Sequence, residues 1–295
     1  MKRFLVLAVV LGSAVGCGKS DRADPQEAKA AVHVPIPKEE GETQKLQRDW
    51  AKKLTLEVET KNPTGIVMVV IPPGAAAVPK PYLMGKYEVT QGEWESVMGY
   101  NPSAFQKRRK NPPNHADVEG LDTRRFPVEN VTWYDCVEFC NKLSEKEGLK
   151  PYYQLKVLER NPDQGILGDA KVTILGGTGY HVPTGAEWVH ACRAGSNTKY
   201  HFGDRDEELP DYAWFNKNSG KRTHQVGELK PNAFGLFDMH GNVYEWTEDL
   251  FEGAPLYITR GGDWFHTADI AAVAADVRWW PGEHNGAGLR LARVP

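Results

Sequence analysis

Apolar residues arrive in short bursts along this chain, and their spacing predicts most of its elements. Leu46, Trp50 and Leu54 recur at helical intervals, so Thr43 to Leu54 is read as a short amphipathic helix. Leu56 to Thr60 alternates, and Ile66-Val-Met-Val-Val-Ile71 is a continuous apolar run stopped by Pro72-Pro73-Gly74. Both predict strands, with a third over Tyr82 to Val89. Three further helices begin alike: Thr90-Gln-Gly-Glu93 runs into Trp94, Thr184-Gly-Ala-Glu187 into Trp188, and Thr132-Trp-Tyr-Asp135 is the variant with Trp133. Each is a capping box, in which the threonine hydroxyl accepts one orphan backbone N–H and the carboxylate reaches back to another. Trp94, Val97 and Met98 form one buried stripe; Trp133, Val137, Cys140 and Leu143 form another, closed by Gly148 at the C′ position. Short capped helices scattered among strands predict an α+β fold, and no repeat at solenoid spacing is present.

Composition sharpens that picture. The 295 residues include 29 glycines, 20 prolines and nine tryptophans, which points to a loop-rich fold in which buried indoles hold irregular backbone. A net charge of -3 gives no electrostatic reason to expect a nucleic-acid partner. The basic clusters Lys107-Arg-Arg-Lys110 and Arg124-Arg125 read as solvated loops.

The N-terminus carries an address. Lys2 and Arg3 precede the apolar run Phe4 to Val10, which Gly12-Ser-Ala-Val-Gly-Cys17 ends with small residues. The run is too short to span a bilayer and has the layout of a secretory signal peptide over residues 1–16. Ala14-Val-Gly-Cys17 resembles the bacterial lipobox, with Ala14 in place of the usual leucine; the resemblance implies cleavage before Cys17, lipidation of its sulfur and anchoring to a bacterial membrane. The alternative is an ordinary signal peptide that contains a cysteine. Residues 17–42 are polar and charged, and read as a flexible tether; residues 43–295 form the single globular domain. Cys136, Cys140 and Cys192 leave one thiol unpaired in any pairing, so buried free thiols are the default, with a Cys140–Cys192 bridge conceivable.

The densest stretch is Lys230-Pro-Asn-Ala-Phe-Gly-Leu-Phe-Asp-Met-His-Gly-Asn-Val-Tyr-Glu-Trp-Thr-Glu-Asp249, with Arg260-Gly-Gly-Asp-Trp264 downstream. Its turn signals predict packed irregular backbone rather than a long helix. Gly-Asn-Val-Tyr-Glu-Trp followed by Arg-Gly-Gly-x-Trp resembles the signature of the formylglycine-generating-enzyme, or sulfatase-modifying-factor, family. The resemblance extends from about Leu83 to Arg293 through Gly85-Lys-Tyr-Glu-Val-Thr-Gln-Gly-Glu-Trp94, Pro127-Val-Glu-Asn-Val-Thr-Trp133, Tyr180-His-Val-Pro-Thr-Gly-Ala-Glu-Trp188, Tyr212-Ala-Trp-Phe-Asn216 and Gly288-Leu-Arg290. His181, Val182 and Gly185 replace the family's Arg, Leu and Glu. The implied architecture is one loop-rich α+β domain of sulfatase-modifying-factor type, related to the C-type lectin fold.

The chemistry departs from that pattern. Catalytic members follow Arg-Gly-Gly-Ser with a cysteine pair that binds Cu(I), and use O₂ to oxidise a sulfatase cysteine to formylglycine. Counted without gaps from Arg260, His266 stands at the first of those positions and Ala271 at the second, while Asp263 replaces the serine. Soft thiolates select Cu(I), so copper is not expected here. No His-Glu-x-x-His spacing offers another catalytic metal site. The resemblance also implies structural calcium, held by Asn242, Glu245, the Val243 carbonyl and Asn216; the competing reading is that Asn242 caps a short helix and Glu245 closes its box. The resulting expectation is a membrane-tethered, non-catalytic binding or scaffold module for a peptide, protein or glycan. The rival is a formylglycine-generating oxidase, or another family oxidoreductase, working from an atypical site. Trp279 and Trp280, near Arg278, Glu283, His284 and Asn285, are candidates for a binding surface, or else a core pair beside a solvated loop.

Overall fold

The computed structural model describes residues 41–74, 76–106, 118–162, 165–283 and 286–295. The signal peptide, Cys17, nearly all of the tether, Lys107 to Lys110, His284 and Asn285 lie outside the described residues.

Helix α1 spans Glu42–Leu54, and strands β1 (Glu59–Lys61), β2 (Val67–Ile71) and β3 (Tyr82–Gly85) follow. The predicted third strand stops early because Lys86 to Val89 turns inward, taking Glu88 into the core. Helices α2 (Gln91–Met98) and α3 (Trp133–Lys146) come next, then the hairpin β4 (Tyr153–Arg160) and β5 (Leu167–Ile174). Strand β6 (Tyr180–His181) leads into α4 (Gly185–Arg193). After a long irregular stretch come β7 (Tyr244–Leu250), β8 (Tyr257–Arg260), β9 (Val277–Trp279), β10 (Ala287–Gly288) and β11 (Ala292–Arg293). All three Thr-headed helices carry both hydrogen bonds of the capping box. Gly148 follows α3 with φ +67°, as its predicted C′ role requires.

Three sheets result, with strand orders β1-β2-β3-β11-β6, β10-β7-β8-β9 and β4-β5. The C-terminal strand β11 sits inside the first sheet, antiparallel to both β3 and β6. That placement draws Leu289 and Leu291 into the core on either side of Arg290.

Indoles join the layers. Trp94 of α2 stacks on Phe139 of α3 at 4.9 Å, and Trp133 stacks on Tyr257 of β8 at 3.9 Å while donating Nε1 to the Thr247 carbonyl. Trp246 donates to the Val131 carbonyl. Trp133 and Trp246 thus each supply buried area and one directed hydrogen bond to a backbone carbonyl. Cys136, Cys140 and Cys192 are free and buried, which leaves the Cys140–Cys192 bridge unformed.

Candidate functional site

The site is built on a turn. Gly241 and Asn242 both take left-handed backbone, at φ +76° and +62°, and a Cβ on Gly241 would run into the backbone of Trp214. Gly241 donates its N–H to the Gly261 carbonyl at 2.7 Å, Asn242 donates to the Trp214 carbonyl at 2.8 Å, and Trp264 donates to the Asn242 carbonyl at 3.0 Å. Three distant loops are thereby fixed on one point. The helix-capping reading of Asn242 and Glu245 is corrected here: a left-handed Asn242 heads no helix, and Tyr244–Leu250 is a strand.

Asn242 uses its side chain to hold two segments, accepting from the His224 N–H at 2.9 Å and donating to Glu88 at 2.7 Å. The Val243 N–H donates to the same carboxylate at 3.2 Å. Glu245 is fully inside and accepts from Arg290 Nε and Nη2 at 3.0 and 2.7 Å and from Trp188 Nε1 at 2.6 Å. Arg290 also donates to the Gly85 and Phe237 carbonyls. Asp238 accepts from the Gly227 N–H through Oδ2, while its buried Oδ1 has no partner.

Three buried carboxylates, Glu88, Asp238 and Glu245, therefore surround a single guanidinium. Burial, then the charges of Asp238 and Glu245, push Glu88 well up; burial pushes Asp238 up to about 6. Sequence reasoning named Glu245 but missed Glu88 and Asp238. The available signal was a carboxylate flanked by apolar neighbours, in Tyr87-Glu88-Val89 and Phe237-Asp238-Met239.

The four residues expected to bind calcium meet different fates. Asn242 has its amide occupied, Asn216 is exposed and donates its N–H to the His266 carbonyl, and Glu245 with the Val243 backbone lies beside the carboxylate cluster. Among the described residues no group of three or more His, Cys, Asp or Glu stands in ion-holding geometry. Of the oxygens of Glu88, Asp238 and Glu245, Asp238 Oδ1 is the one buried without a partner.

At the positions of the family's thiolates the structure has no sulfur. Ala271 is buried, its carbonyl accepts from His240 Nδ1 at 2.6 Å, and its backbone lies against Gly262, which takes φ +75°. Burial holds the His240 imidazole neutral, near a pKa of about 4. The nearest thiol in this network, Cys192, has Sγ 3.9 Å from His240 Nε2, and burial raises it well above the usual thiol range. Cys136 and Cys140 face the core from α3, and burial raises both in the same way. None of the three supplies a thiolate near neutral pH.

His266 sits at the surface with Nδ1 2.7 Å from Asp263 Oδ1. That oxygen also accepts the N–H groups of Phe265 and His266 at 3.1 and 2.9 Å. The serine-to-aspartate change thus has a structural reason: one carboxylate oxygen with three donors locks the 263–266 turn and orients the imidazole. The Asp263 hydrogen bond raises the His266 pKa, against a smaller opposing effect of burial. Trp279 is half-buried with Nε1 on Thr259 Oγ1, whereas Trp280 is 53% exposed. A cavity of about 510 Å³ shares no residue with this site; it is lined by polar groups, among them Gln91, Asn101 and Gln106, whose amides already bond one another or nearby carbonyls.

Residues 45–295 match the family described as sulfatase-modifying factor enzyme 1-like domain. The chain is 32% identical over 234 residues to the "Chaperone protein LppX" of Paenibacillus barcinonensis, covering 70% of this chain and 76% of that protein. It is 32% identical over 106 residues to the "Inactive C-alpha-formylglycine-generating enzyme 2" of Mus musculus, spanning 32% of this chain and only 34% of that relative's length. Among solved structures, the "Treponema denticola variable protein 1" superposes with a TM-score of 0.66 at 32% identity, over 81% of this chain and 100% of that one.

Proposed function

The chain belongs to the sulfatase-modifying factor family, and we propose that it is a non-oxidising member: an exported, membrane-tethered module that binds polypeptide. The observation that carries this reading is the pair of thiolate positions, filled by an Asp263-bound imidazole and a buried alanine. Neither can replace two soft sulfurs for Cu(I). The three described thiols are raised by burial and so stay protonated. Support also comes from one relative named a chaperone and another named inactive.

Two assays test the reading. Incubated with Cu(I), O₂, a thiol reductant and a Cys-x-Pro-x-Arg peptide, the purified domain is expected to produce no aldehyde mass. Aldehyde that disappears on changing Cys136 or Cys140 would restore the oxidase. For polypeptide binding, an equimolar amount of the domain should suppress light scattering when a denatured reporter enzyme is diluted into buffer; unchanged scattering sinks the chaperone-like reading.

Two finer proposals accompany this one. Cys17 is the lipid attachment site, so Cys17→Ser should abolish fatty-acid labelling of the full chain, and persisting label would refute the anchor. Calcium is proposed as the counter-ion beside the buried carboxylates, with Glu245 and the Val243 carbonyl kept from the four expected ligands and the unpartnered Asp238 Oδ1 added to them in place of Asn242 and Asn216; its role there would be structural.

A further inference from the structure

The hairpin β4–β5 stands apart from the two larger sheets. Its strands, eight residues each, pair only with one another, and a two-stranded ribbon is marginal in water unless something covers it. One face is covered: Tyr153 and Ala170 are buried, and Leu155 and Val172 pack against the core. On the opposite face Gln154 is paired with Thr173 and Lys156 with Lys171, and all four are exposed. Among the described residues neither lysine has an ion pair or a side-chain hydrogen bond. The carboxylates farther along the ribbon, Glu159 and Asp169, pair with each other in register, and Asp169 accepts from the Tyr134 hydroxyl. Val157, Leu158, Ile174 and Leu175 border the ribbon at 41–55% exposure.

Two like charges directly opposite each other on a strand pair repel, and no carboxylate in contact offsets them here. Lysines also deter strands from pairing at their edges, but that role needs no second lysine across the ladder. An anionic partner accounts for both lysines at once. The four side chains present ammonium, amide and hydroxyl donors on one flat face, with aliphatic side chains at its borders. A bilayer has the matching order, with fixed negative charge at its surface and apolar material beneath. We propose that the outer face of β4–β5 is the surface by which the domain rests on an anionic phospholipid bilayer. The inference rests on the Cys17 anchor reading above and adds the orientation of the anchored domain.

Anchoring makes a weak contact sufficient. From Cys17 to Gly41 the chain spans at most about 80 Å even when fully extended, so the ribbon is confined near the bilayer. Confinement acts as a high effective concentration, and a second, weak contact then decides orientation. Each lysine close to an anionic surface raises the occupancy of the docked state about fivefold. That gain decays within a Debye length, about 10 Å at 0.1 M salt.

The test uses the lipidated full chain in vesicles of phosphatidylglycerol mixed with phosphatidylcholine, with phosphatidylcholine alone as the control. An environment-sensitive fluorophore on Thr173→Cys should shift to the blue in the anionic vesicles only, and about 1 M salt should abolish the shift. Cys136, Cys140 and Cys192 are buried and escape the label. Changing Lys156→Gln and Lys171→Gln together removes a repulsion, so the fold should survive, while the ratio of docked to free domains should fall about thirtyfold. Equal shifts in both vesicle types, or a shift that outlasts the double substitution, overturn the proposal. A shift given by soluble polyglutamate but not by phosphatidylglycerol also overturns it, and makes the partner an acidic polypeptide. Flotation with the neutral vesicles checks the anchor separately. A chain that floats but shows no shift with phosphatidylglycerol keeps the anchor and loses the docking face. If the chain does not float, the anchor is lost, and the shift on adding anionic vesicles still decides the face.

Discussion

Arg290→Met should destabilise the domain by about 3–5 kcal/mol, the loss measured when one partner of a buried ion pair is removed. Methionine keeps most of the side-chain volume, so the loss isolates charge and hydrogen bonding rather than a cavity. Arg290 is fully buried and satisfies five acceptor contacts, on Glu245, Gly85 and Phe237. Removing it strands Glu245 beside Glu88 and Asp238 with no positive charge in the cluster. It also releases the carbonyls that tie β3 to the irregular stretch before the Gly241 turn. Urea unfolding at constant slope gives the measurement. Adding Glu245→Gln to Arg290→Met should recover part of the loss, because the glutamine is neutral and still accepts from Trp188. A loss below about 1 kcal/mol for Arg290→Met would mean that this ion pair does not hold the sheets together.

The local elements were legible in the sequence because their causes are local. Threonine, acid and tryptophan at fixed offsets specify a capped helix without help from elsewhere, and α2, α3 and α4 begin where those offsets place them. The strands after residue 240 were not legible. Strands β10 and β11 contain only two residues each and exist because β7, β3 and β6 offer backbone partners from distant parts of the chain. The same holds for the site. The identity of His266 and Ala271 at the thiolate positions needed only counting, whereas the role of Asp263 needed the fold of the turn. The Asn242 error has the same origin. Asn-x-x-Glu reads as a helix start by local rules, but Trp214, His224 and Glu88 converge on Asn242 and impose left-handed backbone.

The calcium proposal makes a prediction whose size changes with pH. Without a cation, burial raises the Asp238 carboxyl to about 6, and burial with two neighbouring charges raises Glu88 as well. A carboxyl raised on folding binds its proton more tightly in the folded state, so stability is greatest at low pH and is lost as pH rises through the folded pKa. For Asp238 alone the loss between its ordinary pKa and about 6 is on the order of 3 kcal/mol. In chelator the domain should therefore melt lower at about pH 7.5 than at about pH 5. Calcium supplies the missing positive charge, lowers both pKa values and opposes that loss. At about one hundred times its dissociation constant it should restore about 2.7 kcal/mol near neutral pH, and the gain should vanish near pH 4.5 where protons displace it. Asp238→Asn separates this from a general salt effect. It removes the raised carboxyl and should stabilise the calcium-free protein at neutral pH while eliminating the calcium response. A melting temperature indifferent to chelator at neutral pH would leave protons, rather than a metal, as what balances Glu88, Asp238 and Glu245 around Arg290.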